Sequence, residues 1–379
     1  MVIVILAASL SAMAAPTTLD DAKLDLRFCP AAKARSYPLD TVHNATSLVL
    51  QNVAMVNSGS QPITIDSVKI ELLRGDRPID TRIVDASDIA TAAKGGQALA
   101  SSGLMAAIGF QFCDGALLGN AKLASSGTIA PGEALLLMHQ SFAWRGKRDA
   151  VRVSVGTWTA TVPIDDSLAP PMRWPLAAGA WTVAAGASFH SSHRWAVPEQ
   201  FALDIVKVDA DGRTHRASGN KLSDFYAYGA PVVSAAAGSV VAVTRADQED
   251  PPLLRRPGET LSGYLNRVGE AQAIKLTKGE AAILGESVII DQGGGIYAVY
   301  AHLRPGSGQV KIGDKVVAGQ RIAALGNSGN STEPHLHFQL CDRPTGLSCA
   351  GIPLSFSNID LPQADGPRPI QSGDIVSAE

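Results

Sequence analysis

The densest chemistry in the chain lies in one hexapeptide, Glu333-Pro-His-Leu-His-Phe338. In a strand, residues two apart point to the same face. His335 and His337 therefore project together, with Leu336 and Phe338 on the opposite face. Two such imidazoles can both grip a metal, or one can hold it while the other does acid/base work; spacing does not choose. Asp204 sits in Gln200-Phe-Ala-Leu-Asp-Ile-Val206, an apolar strand in which a carboxylate is out of place. A buried carboxylate needs a cation, a metal or several donors to offset its desolvation. Asp204 is thus the leading oxygen ligand. His302 ends a strand over 296–302 and, by alternation, shares a face with Tyr300 and Ala298. His193, in Ser191-Ser-His-Arg-Trp195, and His190 come from the loop before Asp204. A His/Asp/His set with further histidines has the composition of a catalytic zinc site, where three protein ligands leave a position for water. Such a zinc acidifies its water and polarises a carbonyl, and a neutral histidine nearby takes the proton or steadies the oxyanion.

Each of these features also has a plainer reading. A lone H-x-H is more often a surface or hydrogen-bonding feature than a metal site. A strand Asp is more often held by backbone groups or an Arg. Gly326-Asn-Ser-Gly-Asn-Ser331 is a turn, and with no Lys-Ser/Thr helix start after it the phosphate-loop reading fails. His43 and His139 read as ordinary packed or hydrogen-bonded histidines without carboxylate neighbours at ligand spacing, and His215 falls in a turn.

The elements that must position these residues are mostly strands. In the C-terminal unit, 172–379, the segments 285–291 and 295–303 flank a Gly-rich turn and predict a hairpin. The segment 228–243 reads as strand, Gly turn and strand, and 310–326 adds two short strands. Glu249–Lys278, polar and carrying Pro251-Pro252, reads as an irregular insertion, a flap beside the groove. Residues 15–165 read as a β-sandwich-like domain with strands over 47–57, 63–73, 134–139 and 151–161 and an Ala-rich helical insertion over 86–119. The short Pro-Pro segment 166–171 is the linker.

A chain of 379 residues is comfortable as two domains. With 46% hydrophobic and 18% charged residues it is not mostly disordered. A net charge of −3 leaves no electrostatic footprint for nucleic acid, and that class of partner is dropped. Val2–Leu10 is an apolar run too short for a stable membrane anchor and is followed by Ala12-Met13-Ala14. Residues 1–14 therefore read as a signal peptide, and the mature protein as periplasmic or secreted with no stable membrane insertion. The four cysteines fall by domain into two pairs, Cys29–Cys113 and Cys341–Cys349, as suits an exported chain.

Residues of about 180–340 resemble the lysostaphin/LytM-type zinc endopeptidases of bacterial cell walls. The resemblance is carried by Phe201-Ala-Leu-Asp-Ile, Tyr228-Gly-Ala-Pro-Val-Val, Val299-Tyr-Ala-His-Leu, Gly313-Asp-Lys-Val-Val-Ala-Gly-Gln and Gly326-Asn-Ser-Gly-Asn-Ser-Thr-Glu-Pro-His-Leu-His-Phe, in that order. It implies a C-terminal hybrid β-barrel with a groove over zinc, and hydrolysis of peptide bonds in peptidoglycan by a zinc-activated water. Matched motif by motif, it makes Asp204 and His337 zinc ligands and assigns His302 and His335 to the water and the transition state. The family's first ligand usually lies four residues before the Asp, and here that residue is Gln200. His193 is the preferred replacement, as in a divergent branch with a lengthened loop, and His190 is the other candidate. If neither reaches the metal, the chain is a catalytically inactive module that binds peptidoglycan or a partner hydrolase. The N-terminal unit lies outside the resemblance, and would hold the protein on a partner protein or cover the groove.

Overall fold

The computed structural model describes residues 22–366 and 368–379. The signal-peptide reading of residues 1–14 lies outside the described residues. The chain is mostly β, and among the described residues eleven strands precede residue 166 and twelve follow it.

The first group comprises β1 (Leu24–Cys29), β2 (Ala34–Asp40), β3 (Ala45–Asn57), β4 (Ile63–Thr64), β5 (Val68–Arg74), β6 (Arg77–Val84), β7 (Lys122–Leu123), β8 (Thr128–Ile129), β9 (Glu133–Arg145), β10 (Ala150–Val155) and β11 (Trp158–Asp165). Nine of these make one sheet in the order β6-β5-β10-β11-β2-β3-β9-β7, with β1 on β3. One core takes Leu48, Leu50, Val53 and Met55 from β3 together with Ile70, Val151 and Val162 from the far end, so the sheet folds over itself like a sandwich. Along β3 the core face switches from Leu48 and Leu50 to Val53 and Met55, which turns Gln51 and Asn52 both to the other side. Helix α1 (Ala86–Ser101) is the expected insertion; Asp85 caps it by accepting from Ser87 and Asp88 backbone N–H groups.

The second group comprises β12 (Gly179–Ala185), β13 (Leu203–Val206), β14 (Pro231–Val233), β15 (Gly238–Thr244), β16 (Glu286–Asp291), β17 (Tyr297–Leu303), β18 (Lys315–Val316), β19 (Arg321–Ala324), β20 (Leu336–Cys341), β21 (Gly351–Ile352), β22 (Ile359–Asp360) and β23 (Ile375–Ala378). Ten of them run β18-β15-β16-β17-β20-β13-β12-β23-β22, with β21 on β20, and β14 pairs with β19 separately. The two ends of the path do not pair with each other, so the sheet is a curled half-barrel. Leu203 and Ile205 of β13 and Leu336, Phe338 and Leu340 of β20 fill its core.

Four expectations change. The segment 63–73 is two strands in two sheets, because Asp66 and Ser67 are both exposed and break the alternation. The segment 151–161 is the hairpin β10–β11, turned at Gly156-Thr157. The two strands within 228–243 join different sheets rather than each other. Glu249–Lys278 is not irregular throughout: it holds helix α2 (Leu261–Thr277), capped by the Thr260 hydroxyl, which accepts from Gly263 N–H at 3.1 Å. Leu261, Tyr264, Leu265 and Val268 have helical spacing, but none is buried, so tertiary burial did not strengthen the signal. A short helix, α3 (Glu280–Leu284), follows.

Both expected disulfides are present, Cys29–Cys113 and Cys341–Cys349. No helix among the described residues is long and apolar enough to cross a membrane. The two β units are joined by buried contacts. Arg35 donates to the Ala350 and Gly351 carbonyls at 3.1 and 2.8 Å, and Tyr37 donates to the Ile370 carbonyl at 2.6 Å.

Candidate metal centre

Strands β13 and β20 are antiparallel neighbours, with Asp204 directly opposite His337. Their apolar partners face the core, so alternation sends Asp204 and His337 to the other face together. Asp204 Oδ1 is 2.9 Å from His337 Nδ1. The 3-10 turn Ser192–Trp195 brings in His193, whose Nε2 is 3.2 Å from Asp204 Oδ2. The donor atoms of His193, Asp204 and His337 all lie within 4.8 Å of one another. His335 Nε2 reaches Asp204 Oδ1 at 3.4 Å. The His302 ring lies 4.7 Å from the His335 ring and 5.7 Å from that of His337, between centroids. All five residues singled out from the sequence therefore meet at one place, and His190 stays outside, exposed on the loop.

His302 arrives by a different route from the expected one. Cross-strand pairing places Tyr300 with Phe338 and Ala301 with His337, so Tyr300 faces the core and strict alternation would turn His302 there too. His302 instead has φ 59, a left-handed conformation, and it lines the cavity beside His335 and His337. Such backbone is costly for a residue with a Cβ and tends to occur at functional sites.

Hydrogen bonds to oxygen acceptors define the imidazole tautomers. Gln339 donates from Nε2 to the Gly346 carbonyl at 2.7 Å, which leaves its Oε1 to accept from His337 Nε2–H at 2.7 Å. The Nδ1 lone pair of His337 then points at Asp204. His335 Nδ1–H donates to the Glu333 carbonyl at 2.8 Å, and His302 Nδ1–H to the Ser328 carbonyl at 2.9 Å. His193 Nδ1 makes a longer contact to the Ala202 carbonyl at 3.5 Å. Three nitrogen lone pairs thus face a carboxylate, an arrangement that is repulsive unless protons or a cation lie between them. Protons supply the compensation in the metal-free chain. Burial disfavours the charged form of His193, yet the Asp204 carboxylate outweighs burial and pushes the ring up to about 9. His335 is raised in the same way. Burial would raise the Asp204 carboxyl, but His193 and His335 hold it well below the usual carboxylate range. Burial, together with His335 and His337 facing it, keeps His302 well below its ordinary value, hence neutral. Two imidazole nitrogens and a carboxylate oxygen with fixed tautomers fit the donor set that zinc takes.

The cavity over these groups holds roughly 380 Å³. Its walls include Val268 and Gln272 of α2 and, from the N-terminal unit, Phe110 and Gln111. Gln200, at the position where the family's first His was expected, is 2% exposed and turned the other way, accepting from Gln51 Nε2 at 3.3 Å. His43 does have a carboxylate neighbour, Asp40, at 2.6 Å on the surface, contrary to the sequence reading. Gln339 was not singled out beforehand. Its signal was available, because His335, His337 and Gln339 continue the same period of two.

Residues 268–347 match the family described as Peptidase family M23. Residues 268–347 are thus similar to M23 peptidases. The matched stretch contains His302, His335 and His337, while His193 and Asp204 lie upstream of it. Among curated relatives of the M23 domain, the chain is 41% identical over 75 residues to "Peptidoglycan DD-endopeptidase ShyA" of Vibrio cholerae, covering 19% of this chain and 17% of that protein. It is 47% identical over 47 residues to "Glycyl-glycine endopeptidase ALE-1" of Staphylococcus capitis, covering 12% of this chain and 13% of that protein. The chain thus spans under a fifth of the length of either relative. Among solved structures, the catalytic domain of the prophage-encoded M23 protein EnpA from Enterococcus faecalis matches with 20% identity and a TM-score of 0.26, over 49% of this chain and 92% of that one. Helicobacter pylori Csd3 matches with 13% identity and a TM-score of 0.27, over 82% of this chain and 72% of that one.

Proposed function

We propose that the protein is an exported zinc-dependent endopeptidase that hydrolyses peptide bonds in bacterial peptidoglycan, with residues 172–379 as the catalytic unit and 15–165 as a separate β unit before a linker at 166–171. His193, Asp204 and His337 hold the zinc. The observation that carries this reading is the convergence of their donor atoms with tautomers that leave lone pairs facing inward. When bound, a zinc ion there supplies Lewis acidity, which acidifies a water and polarises the scissile carbonyl.

The other residues follow from their hydrogen bonds. His302 presents a neutral Nε2 to the cavity, its Nδ1–H being spent on the Ser328 carbonyl. It can accept a proton at that atom. His335, held at Nδ1 by Glu333 and pushed toward its charged form by Asp204, can donate from Nε2 to a developing oxyanion. Gln339 keeps His337 in the tautomer that offers Nδ1. The names of the M23 relatives support a peptide of the cell wall as substrate, and the two disulfides suit a periplasmic or secreted chain.

Incubation of the purified full-length chain with isolated sacculi tests the reading. Soluble muropeptides should be released, release should stop with a chelator, and added zinc should restore it. A chain that retains zinc and releases nothing at any metal load would be a binding module, the alternative that Gln200 raises.

A further inference from the structure

The segment that presents His193, residues 186–202 between β12 and β13, contains only a 3-10 turn and no strand pairing. Ordering such a loop opposes about 1–2 kcal/mol of backbone entropy per residue, so something must hold it in place. Its ends are tied to the C-terminal unit, where Gly186 N–H donates to Ser372 Oγ at 2.9 Å and Gly351 N–H to the Val197 carbonyl at 3.1 Å, and its middle is held by the N-terminal sheet. Gln51 of β3 donates both hydrogens of its amide, one to the Arg194 carbonyl at 2.9 Å and one to Gln200 Oε1 at 3.3 Å. Arg194, next to His193 and 0% exposed, donates from Nη2 to Ser47 Oγ at 3.2 Å, also on β3. Its guanidinium lies over the Phe201 ring at 4.9 Å. On the far side of the turn, Val197 N–H donates to Gln111 Oε1 at 2.8 Å, and the Gln111 carbonyl is held by Asn52 Nδ2 at 2.6 Å.

We infer that Gln51 and Arg194 are positioning residues for the metal centre, so that β3 of the N-terminal unit sets the place of His193 and the cation site depends on both halves of the chain. The inference rests on the reading of His193 as a ligand. It also gives Gln200 a role: the amide at that position engages Gln51 and helps to lock the loop that delivers His193 from further upstream. A buried hydrogen bond that orients a ligand typically changes metal affinity by about 10–100-fold.

The test measures zinc affinity of the full-length chain by competition with a chromophoric chelator, and the visible absorption of the cobalt-loaded protein. Gln51→Met keeps the side-chain volume and removes the two donated bonds along with an amide oxygen that has no partner of its own. It should weaken zinc binding about 10–100-fold and alter the cobalt spectrum while thermal unfolding stays cooperative. In a double-mutant cycle, adding Gln51→Met to His193→Ala should cause no further loss, because Gln51 acts through His193. Ser47→Ala, which removes the Oγ contact to Arg194 and the Oγ donation to the Tyr37 carbonyl, each at 3.2 Å, should shift affinity in the same direction and is read instead if Gln51→Met does not fold. Asp204→Ala, measured alongside, tests the centre itself: equal zinc binding by it and by wild type removes the metal reading altogether. If wild type binds through Asp204 but the β3 variants match its affinity within twofold with an unchanged cobalt spectrum, or if the cycle is additive, the positioning role is overturned.

Discussion

Replacing Gln339 by leucine should weaken zinc binding at the proposed centre without touching a proposed ligand. Gln339 is 1% exposed and takes the His337 Nε2–H at 2.7 Å. Leucine leaves that N–H buried and unpaired, which costs about 1–3 kcal/mol. The ring escapes the cost by moving its proton to Nδ1, where Asp204 Oδ1 waits 2.9 Å away. That tautomer is well satisfied in the metal-free chain and cannot ligate from Nδ1. The tautomer ratio therefore shifts by a factor of roughly 5–150 for that energy, and zinc affinity should fall by the same factor. Competition with a chromophoric chelator at constant pH reads the change. Gln339→Glu separates tautomer from scaffold, since it keeps an acceptor for His337 and loses the donations from Nε2 to the Gly346 carbonyl at 2.7 Å and to Cys341 Sγ at 3.0 Å. It should bind zinc at least as tightly as wild type while lowering the unfolding temperature. Zinc affinity of Gln339→Leu within twofold of wild type, or an equal loss in both variants, would refute the tautomer argument.

His337→Ala should abolish zinc retention after dialysis, whereas His302→Ala should retain zinc and lose about 10²–10⁴-fold in turnover on sacculi; normal hydrolysis by either variant defeats the assignment. Metal binding should strengthen with rising pH. The His193 ring is raised to about 9 in the metal-free chain, so its proton is present at neutral pH and must leave before the nitrogen can ligate. Affinity measured between pH 6 and 9 should climb throughout that range; a flat profile would contradict the lone-pair geometry. Replacing α2 with a short Gly-Ser connection removes Val268 and Gln272 from the cavity wall, and should change the rate or the bond preference on sacculi. Unchanged rate and products would show that α2 is no gate.

Much of the centre was legible because its signals are local. The period of two in Glu333-Pro-His-Leu-His-Phe338 put both imidazoles on one face, and a charged residue in an apolar strand marked Asp204. The hairpin β16–β17 was visible from its Gly-rich turn. Helix α2 was obscured by its exposed, polar surface and by the Pro251-Pro252 that precedes it. The strand break at Asp66-Ser67 was visible as a slip in alternation, but an extended reading across 63–73 smoothed it over.

Residue types and short-range periodicity by themselves determined a mostly β chain with a His/Asp/His constellation. They did so because pleat and side-chain direction are properties of the strand alone. The tertiary structure decided three things that depend on distant partners. It paired Asp204 with His337 across 133 positions of sequence. It turned His302 out of the core face through a left-handed backbone. It brought His193, and not His190, beside Asp204 and turned Gln200 away, in a loop that a strand from the other half of the chain contacts through Gln51. No periodicity encodes such contacts, since they arise only when two separately folded surfaces meet.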